Sequence, residues 1–222
     1  MIRVWIADVT PLYEKKCYSR YYEGLPSFRK EKADALKYLS RRVQSVGVWA
    51  LWEKMRHTYD LEENVSFNLS HSGSWVMCAA QTEGEGARVG CDIEKIGQLR
   101  INVAERRFCR EEYEEIVGGK TEEEQTERFF RFWVLKESFM KATRRGMALP
   151  MDSFRIRLGD PPELVSQPEE YPQPFYYMEY VLENIPFRMA VCSTDREIDS
   201  MLTVCRPKGR IMCCSVDALI LV

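Results

Sequence analysis

This sequence predicts an α+β fold built on antiparallel sheet, and three observations carry that expectation. Helical and strand patterns fall into segregated blocks, whereas a parallel sheet would show strict βαβ alternation. The chain has 222 residues, enough for one domain or two small ones. Its composition, 45% hydrophobic and 30% charged, supports a packed core and argues against disorder.

The elements follow in order. Residues 2–9 alternate and read as a strand, and 12–22 as a short helix. From 27 to 57 the pattern is helical, with Leu36, Leu39, Val43 and Val46 at three- and four-residue spacing; Gly47 marks a close approach or a bend. Strands are expected at 65–69, 75–81 and 87–93. Helices are expected at 101–117 and 121–143, parted by Gly118–Gly119. Further strands are expected at 153–158, 175–182, 187–193 and 216–221. The stretch 159–174 holds five prolines and reads as a surface loop.

Several functions are argued against. A net charge of −2 lacks the basic footprint of a nucleic-acid binder. No apolar run approaches the roughly 20 residues of a membrane span, and "MIRVWIADVT" lacks the pattern of a signal peptide. The eight cysteines form no CxxC pair, so reduced thiols and a cytoplasmic location are expected.

Two stretches carry chemistry, and a third joins them. In "RVGCDIEKI", 88–96, alternation puts Asp92 and Glu94 on one side of a strand, with Cys91 and Ile93 on the other. Two carboxylates so close repel unless a cation sits between them, and oxygen ligation of this kind suits Mg²⁺. A solvated strand end beside Lys95 is the plainer alternative. Gly90 upstream points to a close backbone approach. In "FFRFWVLKESFMKATRRGMALP", 129–150, the residues Phe129, Phe132, Trp133, Leu135, Phe139 and Met140 make a broad apolar face. Lys136, Glu137 and Lys141 interrupt it, and Glu137 and Lys141 stand at i and i+4. Charges in a helix otherwise fit for burial suggest a ligand, though an exposed salt bridge would look the same. "NLSHSGSWVMCAA", 68–80, sets one of only two histidines in a polar turn between apolar strands.

Together "FNLSHSG" (67–73), "VGCDIE" (89–94) and "FWVLKESFMKATRRGMALPMDSF" (132–154) resemble the Sfp-type 4′-phosphopantetheinyl transferases, over about residues 64–193. The family order is an SHS turn, a G-x-D-x-E strand, then a W-x-x-K-E-x-x-x-K helix. The resemblance implies two similar α+β halves related by a pseudo-twofold, with the active site at their interface. Residues 1–99 would hold the coenzyme A 3′-phosphate, the SHS turn and the DxE strand. Residues 100–222 would hold the long helix, and the two together form one compact unit. The implied reaction moves 4′-phosphopantetheine from coenzyme A to a serine of an acyl, peptidyl or polyketide carrier protein, releasing adenosine 3′,5′-bisphosphate. Asp92, Glu94 and Glu137 would hold Mg²⁺, with Mn²⁺ as a substitute. Glu137 would also position or deprotonate the serine. Lys141 would neutralise the pyrophosphate, with Ser70 and His71 donating to it. Arg29, Lys32 and Arg42 would clamp the 3′-phosphate, with Arg41 a close competitor of Arg42.

The resemblance further implies a monomer with an acidic carrier as partner. For that partner, 136–147 offers Lys136, Arg144 and Arg145 near Phe139, Met140 and Met147. One departure is plain: the family's G-K-P segment has no counterpart, since "TYDLEENVS", 58–66, contains neither glycine nor proline. That departure is the one support for a non-catalytic module that binds carrier proteins or coenzyme A. A different metal-dependent phosphoryl enzyme would call for further carboxylates or a histidine in ligand spacing.

Overall fold

The computed structural model describes residues 1–183, 185–208 and 211–219, with side chains as far as Cys205. It opens with β1 (Ile2–Asp8), a 3-10 turn (Thr10–Tyr13), α1 (Lys15–Glu23), α2 (Ser27–Asp34) and α3 (Leu39–Thr58). A hairpin of β2 (Phe67–Ser72) and β3 (Trp75–Gln81) leads to β4 (Val89–Lys95). Then come α4 (Ile101–Arg107), α5 (Arg110–Val117) and α6 (Glu122–Ala142), and the short strands β5 (Arg155–Arg157) and β6 (Glu163–Ser166). The chain continues through β7 (Tyr176–Tyr180), β8 (Phe187–Ser193), β9 (Ile198–Lys208) and β10 (Ile211–Leu219).

The α+β expectation holds. One sheet runs β10-β9-β1-β3-β2, a second β4-β8-β7, and β5-β6 form a small hairpin. All pairs are antiparallel except β1 with β9, which run parallel. The strands cross the 99/100 boundary in both directions: β4 pairs with β8, while β9 joins β1.

Strand alternation sorts the core into layers. Ile2, Val4, Ile6, Met77 and Ala79 face Cys91, Ile93, Met189 and Val191 of the second sheet. On the other face of the first sheet, Trp5, Ala7, Val76 and Cys78 pack on Val43, Val46, Leu51 and Trp52 of α3. Ala190 and Cys192 turn outward from the second sheet to Phe132, Leu135, Phe139 and Met140 of α6. The order is therefore helix, sheet, sheet, helix. Among the described residues no helix is long and apolar enough to cross a membrane, and Cys17, Cys78, Cys91, Cys109 and Cys192 are free thiols.

Some boundaries differ from the pattern reading. The run 27–57 is two helices, α2 and α3, with Arg42 Nε donating to the Leu36 carbonyl at the join (2.7 Å). Periodicity carries across such a break because no Gly or Pro marks it. The run 101–117 is cut where the Cys109 N–H donates to Glu112 (3.0 Å), within a capping box that starts α5. The proline-rich stretch includes β6, and β9 went unread. The last expected strand, 216–221, overlaps β10, and residues 220–222 lie outside the described residues.

Candidate active site

The site forms where two sheet edges meet. β2 ends the first sheet and β4 ends the second. No backbone ladder joins them; side chains of β2 receive the N–H groups of β4 instead. Cys91 N–H donates to Asn68 Oδ1 (3.1 Å), Ile93 N–H to Ser70 Oγ (3.4 Å) and Lys95 N–H to Ser72 Oγ (3.1 Å). The period of two on both strands makes this rung spacing possible. It also brings the two serines against the two carboxylates: Ser70 Oγ donates to Asp92 Oδ1 and Ser72 Oγ to Glu94 Oε2, both at 2.8 Å.

Ser70, His71 and Ser72 are thus strand residues, and the tight turn is Gly73–Ser74, with Gly73 in the left-handed region (φ +56°). A two-residue connection leaves no room for the serines in the turn. Gln44 of α3 donates to the Gly73 carbonyl (2.7 Å), which ties that helix to the turn.

The long helix supplies the rest. Gly90 lets β4 press onto α6, since a Cβ there would lie 2.0 Å from the Ser138 carbonyl oxygen and 2.4 Å from Ala142 N. This approach carries Lys141 to the strand. Its Nζ donates to Asp92 Oδ1 (2.6 Å), Ser70 Oγ (3.0 Å) and the Cys91 carbonyl (3.1 Å). Glu137, one turn earlier, has no hydrogen-bond or ion-pair partner among the described residues.

The electrostatics follow from that arrangement. Burial, then Asp92, raises the Glu137 carboxyl above its ordinary range, and Lys141 opposes this. Glu94 is raised by burial and Asp92, against the Ser72 hydrogen bond. For Lys141 burial works downward, but Asp92 and its neighbours outweigh it and the net shift is upward. Burial, then Arg41 and Lys141, lowers His71, so this imidazole is neutral at pH 7. Two buried atoms here have no partner: Asp92 Oδ2 and His71 Nδ1.

Asp92, Glu94 and Glu137 do not converge on one point. Among the described residues no three His, Cys, Asp or Glu side chains gather as a metal-binding group. Like charges spread, and Lys141 and Ser72 each draw one carboxylate aside.

The basic residues of the first half differ in their surroundings. Arg29 is buried, donates to the Ser45 carbonyl (3.1 Å) and sits 4.6 Å over the Trp49 ring. Burial lowers its pKa. Lys32 is exposed. Arg42 is held on Leu36, whereas Arg41 is exposed and its charge reaches His71. Lys136, read as a surface cation, is fully buried against Glu112, and Phe139 and Met140 are core residues; of that segment only Arg144, Arg145 and Met147 are exposed. The apolar face of α6 is too broad to leave position 136 outside. Sequence reasoning missed Ser72 and Asn68 as partners of β4. The signal was present in their two-residue spacing, but the partner strand was not.

Carboxylates opposed to a lysine and a serine hydroxyl, beside a neutral histidine, form a site suited to a phosphate-bearing ligand. A family model described as the 4′-phosphopantetheinyl transferase superfamily matches residues 88–192, from the start of β4 almost to the end of β8. The chain is 34% identical to the 4′-phosphopantetheinyl transferase Sfp of Bacillus subtilis (strain 168) over 138 residues, covering 62% of this chain and 59% of Sfp. It is 40% identical to the 4′-phosphopantetheinyl transferase gsp of Aneurinibacillus migulanus over 93 residues, 42% of this chain and 37% of that protein. Over 102 residues it is 35% identical to the human L-aminoadipate-semialdehyde dehydrogenase-phosphopantetheinyl transferase, 43% of this chain and 32% of that protein. The matches thus span three fifths or less of these relatives' length. The chain is similar to the 4′-phosphopantetheinyl transferase superfamily from β4 to β8, and to Sfp over about three fifths of either chain.

Proposed function

We propose that this protein transfers 4′-phosphopantetheine from coenzyme A to a serine of an acyl, peptidyl or polyketide carrier protein domain, with Mg²⁺ as its ion and Mn²⁺ as a substitute. The observation that carries this reading is the meeting of Ser70, Asp92 and Lys141 from three separate elements, with one carboxylate oxygen left over. That oxygen, Asp92 Oδ2, is a buried acceptor of the kind a hard cation takes. Mg²⁺ typically takes one or two carboxylates and completes its shell with water and substrate phosphate, so a full protein cage is not required. Asp92 and Glu94 of β4 and Glu137 of α6 would hold it. When bound, such an ion offsets the charge that develops on the pyrophosphate.

The chain's own residues supply the remaining steps. Glu137, raised towards neutrality by burial, takes the proton of the carrier serine. The serine oxygen bonds to the phosphorus that carries pantetheine, and the P–O bond to the adenosine 3′,5′-bisphosphate leaving group breaks. Lys141, Ser70 and His71 donate to the phosphate oxygens. Arg29 and Lys32 bind the 3′-phosphate together with Arg41 or Arg42. Of those two, Arg41 fits better, because its side chain is free and shares the field at His71. The carrier docks at Arg144, Arg145 and Met147, beyond the C-terminal end of α6. We read the protein as a cytoplasmic monomer whose two halves close on coenzyme A.

The test is mass spectrometry of an apo carrier protein incubated with coenzyme A, Mg²⁺ and this protein. The expected result is a gain of one phosphopantetheine group per carrier, abolished by EDTA. Binding of coenzyme A or carrier with no gain on any of several carriers would favour the non-catalytic module.

A further inference from the structure

Lys141 stands where a divalent ion would have to act. Its ammonium has three N–H donors. Three acceptors surround it: Asp92 Oδ1, Ser70 Oγ and the Cys91 carbonyl, at 2.6, 3.0 and 3.1 Å. All three belong to β2 and β4, whose edges are fixed by the side-chain rungs. The ammonium is thus seated as an ion is seated, by oxygens on rigid strands. Around it remain Glu137 without a hydrogen bond, Glu94 turned towards Ser72, and the unpartnered Asp92 Oδ2. The Lys141 charge therefore reaches all three carboxylates, with Arg100 also acting on Glu94.

Two cations cannot share Asp92 without mutual repulsion. A divalent ion brings the larger charge, and lysine has a flexible four-carbon stem that lets Nζ move. A phosphate beside the carboxylates gives that ammonium a second partner of the right sign.

We propose that Lys141 is the resident counter-ion of the ligand-free site: it holds Asp92 against an incoming divalent ion and passes to a phosphate of coenzyme A when that ligand arrives. The proposal rests on the reading that these carboxylates take the ion. Metal and coenzyme A then each tighten the other's binding, by one and the same factor. Deleting the lysine should consequently improve metal binding to the empty protein, the reverse of what loss of a purely phosphate-binding residue would do.

The experiment is Mn²⁺ titration of the full chain without coenzyme A, reading free Mn²⁺ by its paramagnetic resonance signal. Lys141→Met keeps the stem and removes the charge; it should bind Mn²⁺ about tenfold more tightly than wild type, about 1.4 kcal/mol. Lys141→Arg keeps a cation on Asp92 and should stay near wild type. Coenzyme A, corrected for its own Mn²⁺ binding, should tighten Mn²⁺ in wild type and do so less in Lys141→Met. Equal or weaker Mn²⁺ binding by Lys141→Met overturns the exchange while leaving the metal reading intact. Mn²⁺ binding to none of these proteins, with or without coenzyme A, overturns both. Should Lys141→Met not fold, the lysine ammonium of ¹⁵N-labelled wild type gives a second readout. Mg²⁺ alone should shift the Lys141 signal and speed its exchange with water, and no change at saturating Mg²⁺ also refutes the proposal.

Discussion

Helix α6 carries two lysine–carboxylate pairs five residues apart, and they are built to opposite ends. Lys136 meets Glu112 at 2.8 Å with both side chains essentially sealed, 0% and 1% exposed. It also donates to the carbonyls of Met151 (2.7 Å) and Phe154 (2.8 Å) and lies 4.2 Å over the Phe154 ring. Glu112 accepts in turn from the N–H groups of Cys109 and Ile156. Burial draws Lys136 downward and Glu112 upward, and their attraction opposes both shifts. Every strong donor and acceptor there is used. The Lys141–Asp92 pair is shorter, 2.6 Å, yet its lysine is 25% exposed, one Asp92 oxygen has no partner and two more carboxylates crowd it. A saturated pair joins α6 to α5 and to the segment before β5; an unsaturated pair keeps capacity for a ligand. What separates joint from site is the count of unpaired acceptors, since distance alone would rank them the other way.

The largest effect should fall on the closed pair. Lys136→Met leaves Glu112 as an uncompensated buried charge and should cost roughly 3–5 kcal/mol in urea unfolding. A loss under about 1 kcal/mol would mean that the pair is not the joint described. At the open pair the cost should be catalytic. Asp92→Ala and Glu137→Ala should each lower turnover at least about a hundredfold, near 2.7 kcal/mol of barrier. Near-normal turnover in either variant would remove that residue from the reaction.

Gly90→Ala tests the contact that brings α6 to β4. The added methyl meets backbone at 2.0 and 2.4 Å, so stability should drop by roughly 1–3 kcal/mol. Unchanged unfolding would show that the strand and helix part freely. Next in size, Arg41→Ala should raise KM for coenzyme A about tenfold, near 1.4 kcal/mol, with little change in kcat. Arg42→Ala should do less, and with 3′-dephospho-coenzyme A the Arg41 defect should vanish. The reverse ranking of the two arginines would move the clamp to the other side of α3.

The smallest effect concerns pH. Glu137 has its folded pKa raised above the unfolded value, chiefly by burial and then by Asp92. Its contribution to stability is full below the unfolded pKa and is lost as pH rises through the folded one. At neutral pH the wild type therefore carries the penalty. Glu137→Gln should melt higher at pH 7 while being inactive, and the difference should narrow as pH falls towards the ordinary carboxylate range. A variant that melts lower at pH 7 would show that Glu137 gains more from its surroundings than repulsion takes away.

The sequence by itself determined the segregated helices and strands, the two-residue spacing of Asp92 and Glu94, and the four-residue spacing of Glu137 and Lys141. It also pointed to the close approach at Gly90. These are local facts: alternation and helical period fix which residues share a side of one element. Only the tertiary structure decided which sides meet. Asn68, Ser70 and Ser72 receive N–H groups 23 residues further on because two sheet edges abut, and no pattern within either strand encodes that partner. Lys136 and Lys141 read alike as charges interrupting an apolar helix; packing buried the first on Glu112 and aimed the second at Asp92. Arg41 and Arg42 are adjacent basic residues whose roles part because successive helical positions point about 100° apart, one held by Leu36 and the other exposed. The parallel pairing of β9 with β1 closes contacts across nearly the whole chain, a separation at which local periodicity carries no information.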